Sequence, residues 1–135
     1  MITGAGDGIG KQAALTYAGL GATVILLGKT VKKLEAVYDE IIANGGSEPA
    51  IIPLDMKGAT KQNYIDMSAT IASQFGKLDG VLLNASMLGE LNPFTQIHQQ
   101  IWDDVMQVNA TAQFLIAQAL IPTLLLADNS SLVFT

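Results

Sequence analysis

Thr3-Gly4-Ala5-Gly6-Asp7-Gly8-Ile9-Gly10 is the stretch on which the rest of the chain turns. It follows Met1-Ile2, which reads as the last residues of a strand, and it runs into a helical stretch from Gly10 to Gly19. Glycines at such a junction let the backbone turn sharply and come close to a pyrophosphate. The helix start then offers unpaired N–H groups and a partial positive charge to the anion. Spacing separates the loops that use this geometry. A Walker A loop ending on Gly10-Lys11 would need a glycine where Ala5 stands and a hydroxyl where Gln12 stands. The strict G-x-G-x-x-G pattern also fails, because Ile9 and Lys11 occupy the places open to its last glycine. What fits is Thr-Gly-x-x-x-Gly-x-Gly.

Outward from the loop, short apolar runs alternate with helical periods. Thr23-Val24-Ile25-Leu26-Leu27 is a continuous apolar run, as expected of a strand buried on both faces. Thr30 is placed to cap a helix from Val31 to Ala43, with Leu34, Tyr38, Ile41 and Ile42 on its apolar face, and Asn44-Gly45-Gly46 stops it. Ala50 to Leu54 reads as a strand, and Pro53, which cannot donate to a ladder, assigns it to an edge. Thr60 to Phe75 is a helix with Tyr64, Ser68, Ile71 and Phe75 in line, and Gly80-Val81-Leu82-Leu83 is another buried strand. Gln99 to Leu126 is a long helix, bent or ended near Pro122, and Ser131 to Phe134 is a final strand. This alternation predicts an α/β fold, a doubly wound parallel sheet (Rossmann fold) in the order 3-2-1-4-5. Only two residues remain for the central first strand, and the last strand meets the end of the chain. The sheet is therefore expected to be incomplete, with the first strand clipped.

Composition removes whole classes of function. Half of the 135 residues are hydrophobic and 14% are charged, against roughly 25% charged in an average soluble domain. That surplus implies an apolar partner surface or membership of something larger. Seven lysines, no arginine and a net charge of −5 make nucleic acid a poor partner. The absence of cysteine excludes disulfides, a thiolate zinc site and a cysteine nucleophile, and a single histidine, His98, excludes a multi-histidine metal site. No basic, then apolar, leader opens the chain, and the greasiest stretch, Phe114 to Ala127, contains Gln118 and Pro122 and is too short to span a bilayer. A cytoplasmic location, with no membrane contact and no metal, is the expectation. His98 is assigned no chemistry, Trp102 is expected to anchor packing, and the five methionines to fill the core.

The glycine loop resembles the cofactor loop of the short-chain dehydrogenase/reductase family, and other segments match that family in order along nearly the whole chain. Asp55 follows the third strand, Asn84-Ala85-Ser86 follows the fourth, and Val108-Asn109 lies in the long helix. The likeness is especially marked to one bacterial group of oxidoreductases in the family. It runs through Asp7 to Gly10, Ala22 to Gly28, Leu78 to Leu82, Asp104 to Asn109 and Ser131 to Thr135.

The resemblance implies roles for particular residues. Gly4, Gly8 and Gly10 would line the pyrophosphate, with backbone groups of Asp7 and Ile9 beside them; Asp7 also suits a helix N-cap. At Gly28-Lys29, the end of the second strand, an acid would grip the ribose hydroxyl of NAD. Lys29 instead favours the 2′-phosphate of NADP, with NAD the lesser expectation. Asp55 would hydrogen-bond the adenine, with the backbone of Met56 beside the ring. Asn84, Ala85 and Ser86 would approach the ribose. Serine replaces the family's glycine at Ser86, which introduces strain only if φ is positive there. Asn109 corresponds to an asparagine that bends its helix and frees a carbonyl for a water leading to the catalytic lysine.

The family's tyrosine, followed four residues later by a lysine that lowers its pKa, has no counterpart after Tyr17, Tyr38 or Tyr64, and the family's serine would fall beyond Thr135, so the resemblance implies that the C-terminal half is absent and that residues 1–135 are the dinucleotide-binding portion of a single-domain enzyme. The function implied is an NADP-dependent oxidoreductase. The full-length protein would move a hydride between the nicotinamide and a carbonyl or alcohol carbon of a small-molecule substrate, and the 135 residues alone would be inactive. A non-catalytic dinucleotide-binding or sensor protein is the alternative. A methyltransferase suits Gly4-x-Gly6-x-Gly8 superficially, but wants an acid where Gly28-Lys29 stands. Val105 to Leu126 is apolar enough to join a mate in a homo-oligomer, a dimer or tetramer, or to face the rest of the enzyme.

Overall fold

A computed structural model describes all residues, 1–135. Five parallel strands form one sheet: β1 (Ile2–Thr3), β2 (Ile25–Gly28), β3 (Ala50–Pro53), β4 (Gly80–Leu83) and β5 (Ser131–Phe134). Their order is β3-β2-β1-β4-β5, as the alternation predicts. The chain reverses direction across the sheet on either side of β1, and at that switch point the loops after β1 and β4 separate to leave a crevice. β1 has two residues against four in each of the others. Pro53 does sit on an edge strand, where β3 pairs only with β2 and the missing N–H costs no ladder bond.

Helices cover both faces. α1 (Gly8–Gly19) and α2 (Val31–Ala43) enclose a core with Ile2, Val24, Leu26, Leu34, Val37 and Ile41. α3 (Lys61–Phe75), α4 (Gln99–Met106) and α5 (Ala112–Leu124) lie over the other face. There Ile25, Leu27, Val81 and Leu83 meet Tyr64, Ile71, Ile116 and Leu120. Alternate residues of β2 thus go to opposite cores, which is why its sequence shows no polar alternation.

Several expectations are corrected. α1 begins at Gly8, not Gly10, because the Asp7 side chain accepts from Gly8 N–H and starts the helix earlier. β2 starts at Ile25 rather than Thr23. On α2, Val37 is buried while Ile42 is exposed, so the inner face is turned from the one expected. The long helix is interrupted by a π-helical segment, Gln107–Thr111, and continues through Pro122 to Leu124. Trp102 is 55% exposed and anchors no packing. Met1, Met56 and Met67 are core residues, whereas Met106 is exposed. No helix is long and apolar enough to cross a membrane.

Candidate dinucleotide site

The loop after β1, the β2–α2 turn and the segment after β4 enclose a cavity of about 430 Å³ at the carboxyl edge of the sheet. Its wall contains Gly4, Asp7, Gly8, Ile9, Gly28, Lys29, Asn84, Ala85 and Ser86 from the expected set, and adds Gly6, Thr30, Lys33 and Leu34.

The glycines of the loop do different work. Gly4 has φ +67°, and a Cβ there would lie 3.0 Å from Ala85 Cα. Gly8 has φ +52° and nothing within 4 Å of where its Cβ would be, so its backbone is open to the cavity. Gly10 is not in the wall. It is buried behind the loop, where a side chain would collide with the Gly4 carbonyl and come within 2.8 Å of Asn84 Nδ2. Its smallness lets α1 pack against the loop. The N–H of Ile9, in the first turn of α1 and in the wall, finds no backbone acceptor and is free for an anion.

Thr3 joins the two sides of the crevice. It is fully buried, and its Oγ1 accepts from the N–H groups of both Asn84 and Ala85 at 2.9 Å. Asn84 Nδ2 returns a bond to the Thr3 carbonyl at 3.2 Å. Asn84 thereby spends its amide on holding β1 and β4 together. Ser86 lines the cavity with ordinary backbone, since no non-glycine residue has positive φ. Serine in place of the family's glycine introduces no backbone strain.

Charge is distributed unevenly around the mouth. Lys29 and Lys33 both lie in the wall. Lys33 Nζ is 2.6 Å from Asp7 Oδ2, while Asp7 Oδ1 accepts from Gly8 N–H at 2.8 Å. The Lys33 ammonium, and then the Gly8 N–H, hold the Asp7 carboxyl below the usual carboxylate range. No carboxylate pairs with Lys29.

Besides Gly10, three expected residues lie outside the wall. Asp55 Oδ1 accepts from Lys57 N–H at 3.1 Å and so caps its own turn. Met56 is buried, and its carbonyl accepts from Gln107 Nε2 at 3.4 Å. Asn109 sits in the π-helical segment and bonds only Met87: Oδ1 accepts from its N–H at 2.8 Å, and Nδ2 donates to its carbonyl at 2.9 Å. It positions the segment after Ser86 rather than touching the cavity. Beside it, Gln113 Nε2 donates to the Ala85 carbonyl at 2.7 Å. A second tie holds the loop after β3 to α4: Lys57 Nζ lies 2.6 Å from Asp104 Oδ2, and Gln100 Nε2 donates to Asp104 Oδ1 at 3.0 Å.

Sequence reasoning missed Lys33, Thr3 as a tie, and Gln113. The signal for Lys33 was a second lysine in the first turn of the helix that follows Lys29. For Thr3 and Gln113 no local signal exists, because their partners are distant along the chain.

Comparison with known proteins accords with this geometry. The family model for short chain dehydrogenases matches residues 1–135. The uncharacterized oxidoreductase YciK of Escherichia coli (strain K12) is 47% identical over 135 residues, which are 100% of this chain and 54% of that protein. A short chain dehydrogenase of Shigella flexneri 2a str. 301, solved in complex with NADP, superposes with a TM-score of 0.95 at 46% identity over 98% of this chain and 56% of the other. One from Escherichia coli CFT073, complexed with NADPH, gives a TM-score of 0.95 at 47% identity, with the same 98% and 56% coverage. The chain thus spans about half the length of these relatives. A glycine cradle at the switch point of a 3-2-1-4-5 sheet and a family match from the first residue to the last lead to one conclusion: this chain belongs to the short-chain dehydrogenase family.

Proposed function

We propose that this chain binds NADP(H) in the glycine-lined cavity and supplies the cofactor-binding part of an oxidoreductase acting on a carbonyl or alcohol carbon of a small molecule. The observation that carries the reading is the pairing of a free helix start with an unopposed lysine. Ile9 presents its N–H beside the open backbone of Gly8, and Lys29 lines the same cavity without a carboxylate partner. The residues fit a dinucleotide: the pyrophosphate at the loop, the adenosine ribose and its 2′-phosphate at the β2–α2 turn, and the nicotinamide ribose towards Asn84, Ala85 and Ser86. Complexes of similar proteins with NADP and NADPH support the same choice.

When bound, the nicotinamide supplies or accepts the hydride. This chain's residues bind and orient. Ile9 holds the diphosphate by its N–H, with the side-chain-free backbone of Gly8 letting it come close, and Gly10 keeps α1 packed behind the loop. Lys29 neutralises the 2′-phosphate. Thr3, Asn84 and Asn109 fix the segment that borders the nicotinamide side. Asn109 acts on that segment through Met87 and is a positioning residue. Asp55 and Met56, on the loop after β3, are assigned to the adenine by their place after the third strand. The whole protein works inside the cytoplasm, a reading supported by the absence of cysteine. The stripe of exposed Trp102, Met106, Phe114 and Ile121 on α4 and α5 supports a homo-oligomeric contact.

The test is titration of the intact gene product with NADPH and NADH, followed by nicotinamide fluorescence. Tighter NADPH binding is expected. Binding of neither removes the reading, and equal affinities remove the part of it that rests on Lys29.

A further inference from the structure

We infer that the Asp7 carboxylate is a built-in competitor for the 2′-phosphate, holding Lys33 across the mouth of the cavity until the phosphate takes it over. This rests on the NADP reading above and adds a second lysine and an opposing acid to it. Asp7 bridges two helix starts, with Oδ1 on Gly8 N–H at 2.8 Å and Oδ2 on Lys33 Nζ at 2.6 Å. One carboxylate therefore stands where an anion in the cavity would stand, between α1 and α2. The stem of Lys33 is held close to the loop, for a Cβ on Gly6 would come within 2.9 Å of Lys33 Cβ. Its ammonium can reach the wall of the cavity without a change in backbone.

The exchange is favourable because the pair it breaks is weak. The side chains of Lys33 and Asp7 are 55% and 76% exposed, so water screens their attraction. A 2′-phosphate brings about −1.5 to −2 charges and three acceptor oxygens against the single charge of a carboxylate. It also lies near Lys29, which has no acidic partner to give up. The other charges facing Asp7 do not compete: Lys11 is engaged by Glu40 at 2.8 Å. Lys33 and the Gly8 N–H keep Asp7 ionised at neutral pH, so it opposes the phosphate for as long as it holds the lysine. NADH has no phosphate there and leaves the pair intact.

The experiment is equilibrium titration of the intact gene product and its variants with NADPH and NADH, read by nicotinamide fluorescence. Asp7→Asn retains an oxygen to cap Gly8 N–H but removes the charge. It is expected to tighten NADPH about fivefold, in the range of an exposed charge pair, and to leave NADH within about twofold. Lys33→Gln is expected to weaken NADPH about tenfold and to spare NADH. In the Lys33→Gln background, Asp7→Asn should lose most of its effect, because Asp7 acts chiefly through Lys33. Asp7→Ser, which also caps, repeats the measurement if the asparagine variant does not fold. Weakening of both nucleotides by Asp7→Asn, or no change in either, overturns the inference while leaving NADP binding intact. Failure of the unaltered protein to bind either nucleotide overturns the functional reading instead.

Discussion

Asn109 grips both backbone groups of Met87, accepting from its N–H at 2.8 Å and donating to its carbonyl at 2.9 Å across 22 residues of chain. An asparagine amide matches a peptide group donor to acceptor, so this one works as a clasp for the segment that leaves β4 and borders the cavity. The clasp sits in the π-helical segment 107–111, where the helix is wound more loosely than on either side. Replacing it with alanine leaves two peptide groups to water. Asn109→Ala is expected to destabilise the fold by about 1–2 kcal/mol, on the usual net worth of two hydrogen bonds. NADPH binding should weaken as residues 84–87 loosen. Denaturant unfolding and nucleotide titration measure the two effects, and an unchanged unfolding midpoint would show that Met87 is held by something else.

The glycines of the chain divide by what surrounds them. At Gly10 a methyl group meets the Gly4 carbonyl, part of the backbone, which cannot move without opening the loop. Gly10→Ala is expected to cost about 3 kcal/mol and to abolish NADPH binding. Gly19, the last residue of α1, has open space around it and no positive φ. Gly19→Ala is expected to be neutral or to stabilise by about 0.5–1 kcal/mol. Thermal unfolding of the pair checks the contrast.

Lys29→Asp places a carboxylate at the β2–α2 turn, the place proposed for the 2′-phosphate. Repulsion should weaken NADPH by about tenfold or more, while the new acid gains the ribose hydroxyl of NADH. The expected outcome is a reversal or loss of the preference for NADPH in fluorescence titration. A preference that survives intact would leave no place for Lys29 in the selection.

The bond from Lys57 holds the Asp104 carboxyl below its ordinary 3.8, against the opposing effect of burial, and Asp104 holds Lys57 above its ordinary 10.5. For the acid, the folded value lies below the unfolded one, so its stabilisation is complete above about 3.8 and fades as pH falls through the folded value. For the base the order is reversed, and the stabilisation fades as pH rises above 10.5 through the folded value. Asp104→Asn is expected to flatten the stability profile at both extremes. Urea unfolding across pH tests this, and parallel profiles for the two proteins would show that the ion pair contributes nothing.

Much of the architecture was legible because it is local. The bounds of α2, β4 and β5 follow from period and turn residues, although the Thr30 side chain makes no cap bond to α2, and Pro53 places its strand at an edge by the one donor it lacks. The misread parts are those where a distant neighbour decides. Trp102 is apolar in any context, yet only the course of α4 determines that it faces outward. Asp55, by contrast, is engaged by a near neighbour: its carboxylate accepts from Lys57 N–H two residues on.

The order of residues alone determined that the chain makes a parallel sheet with a glycine cradle between β1 and α1, because glycine sterics and side-chain period act between near neighbours. The folded chain decided which groups meet there. Thr3 reaches Asn84 across 81 residues and Lys33 reaches Asp7 across 26, and such meetings depend on how layers stack. No residue carries the identity of its partner; packing assigns it.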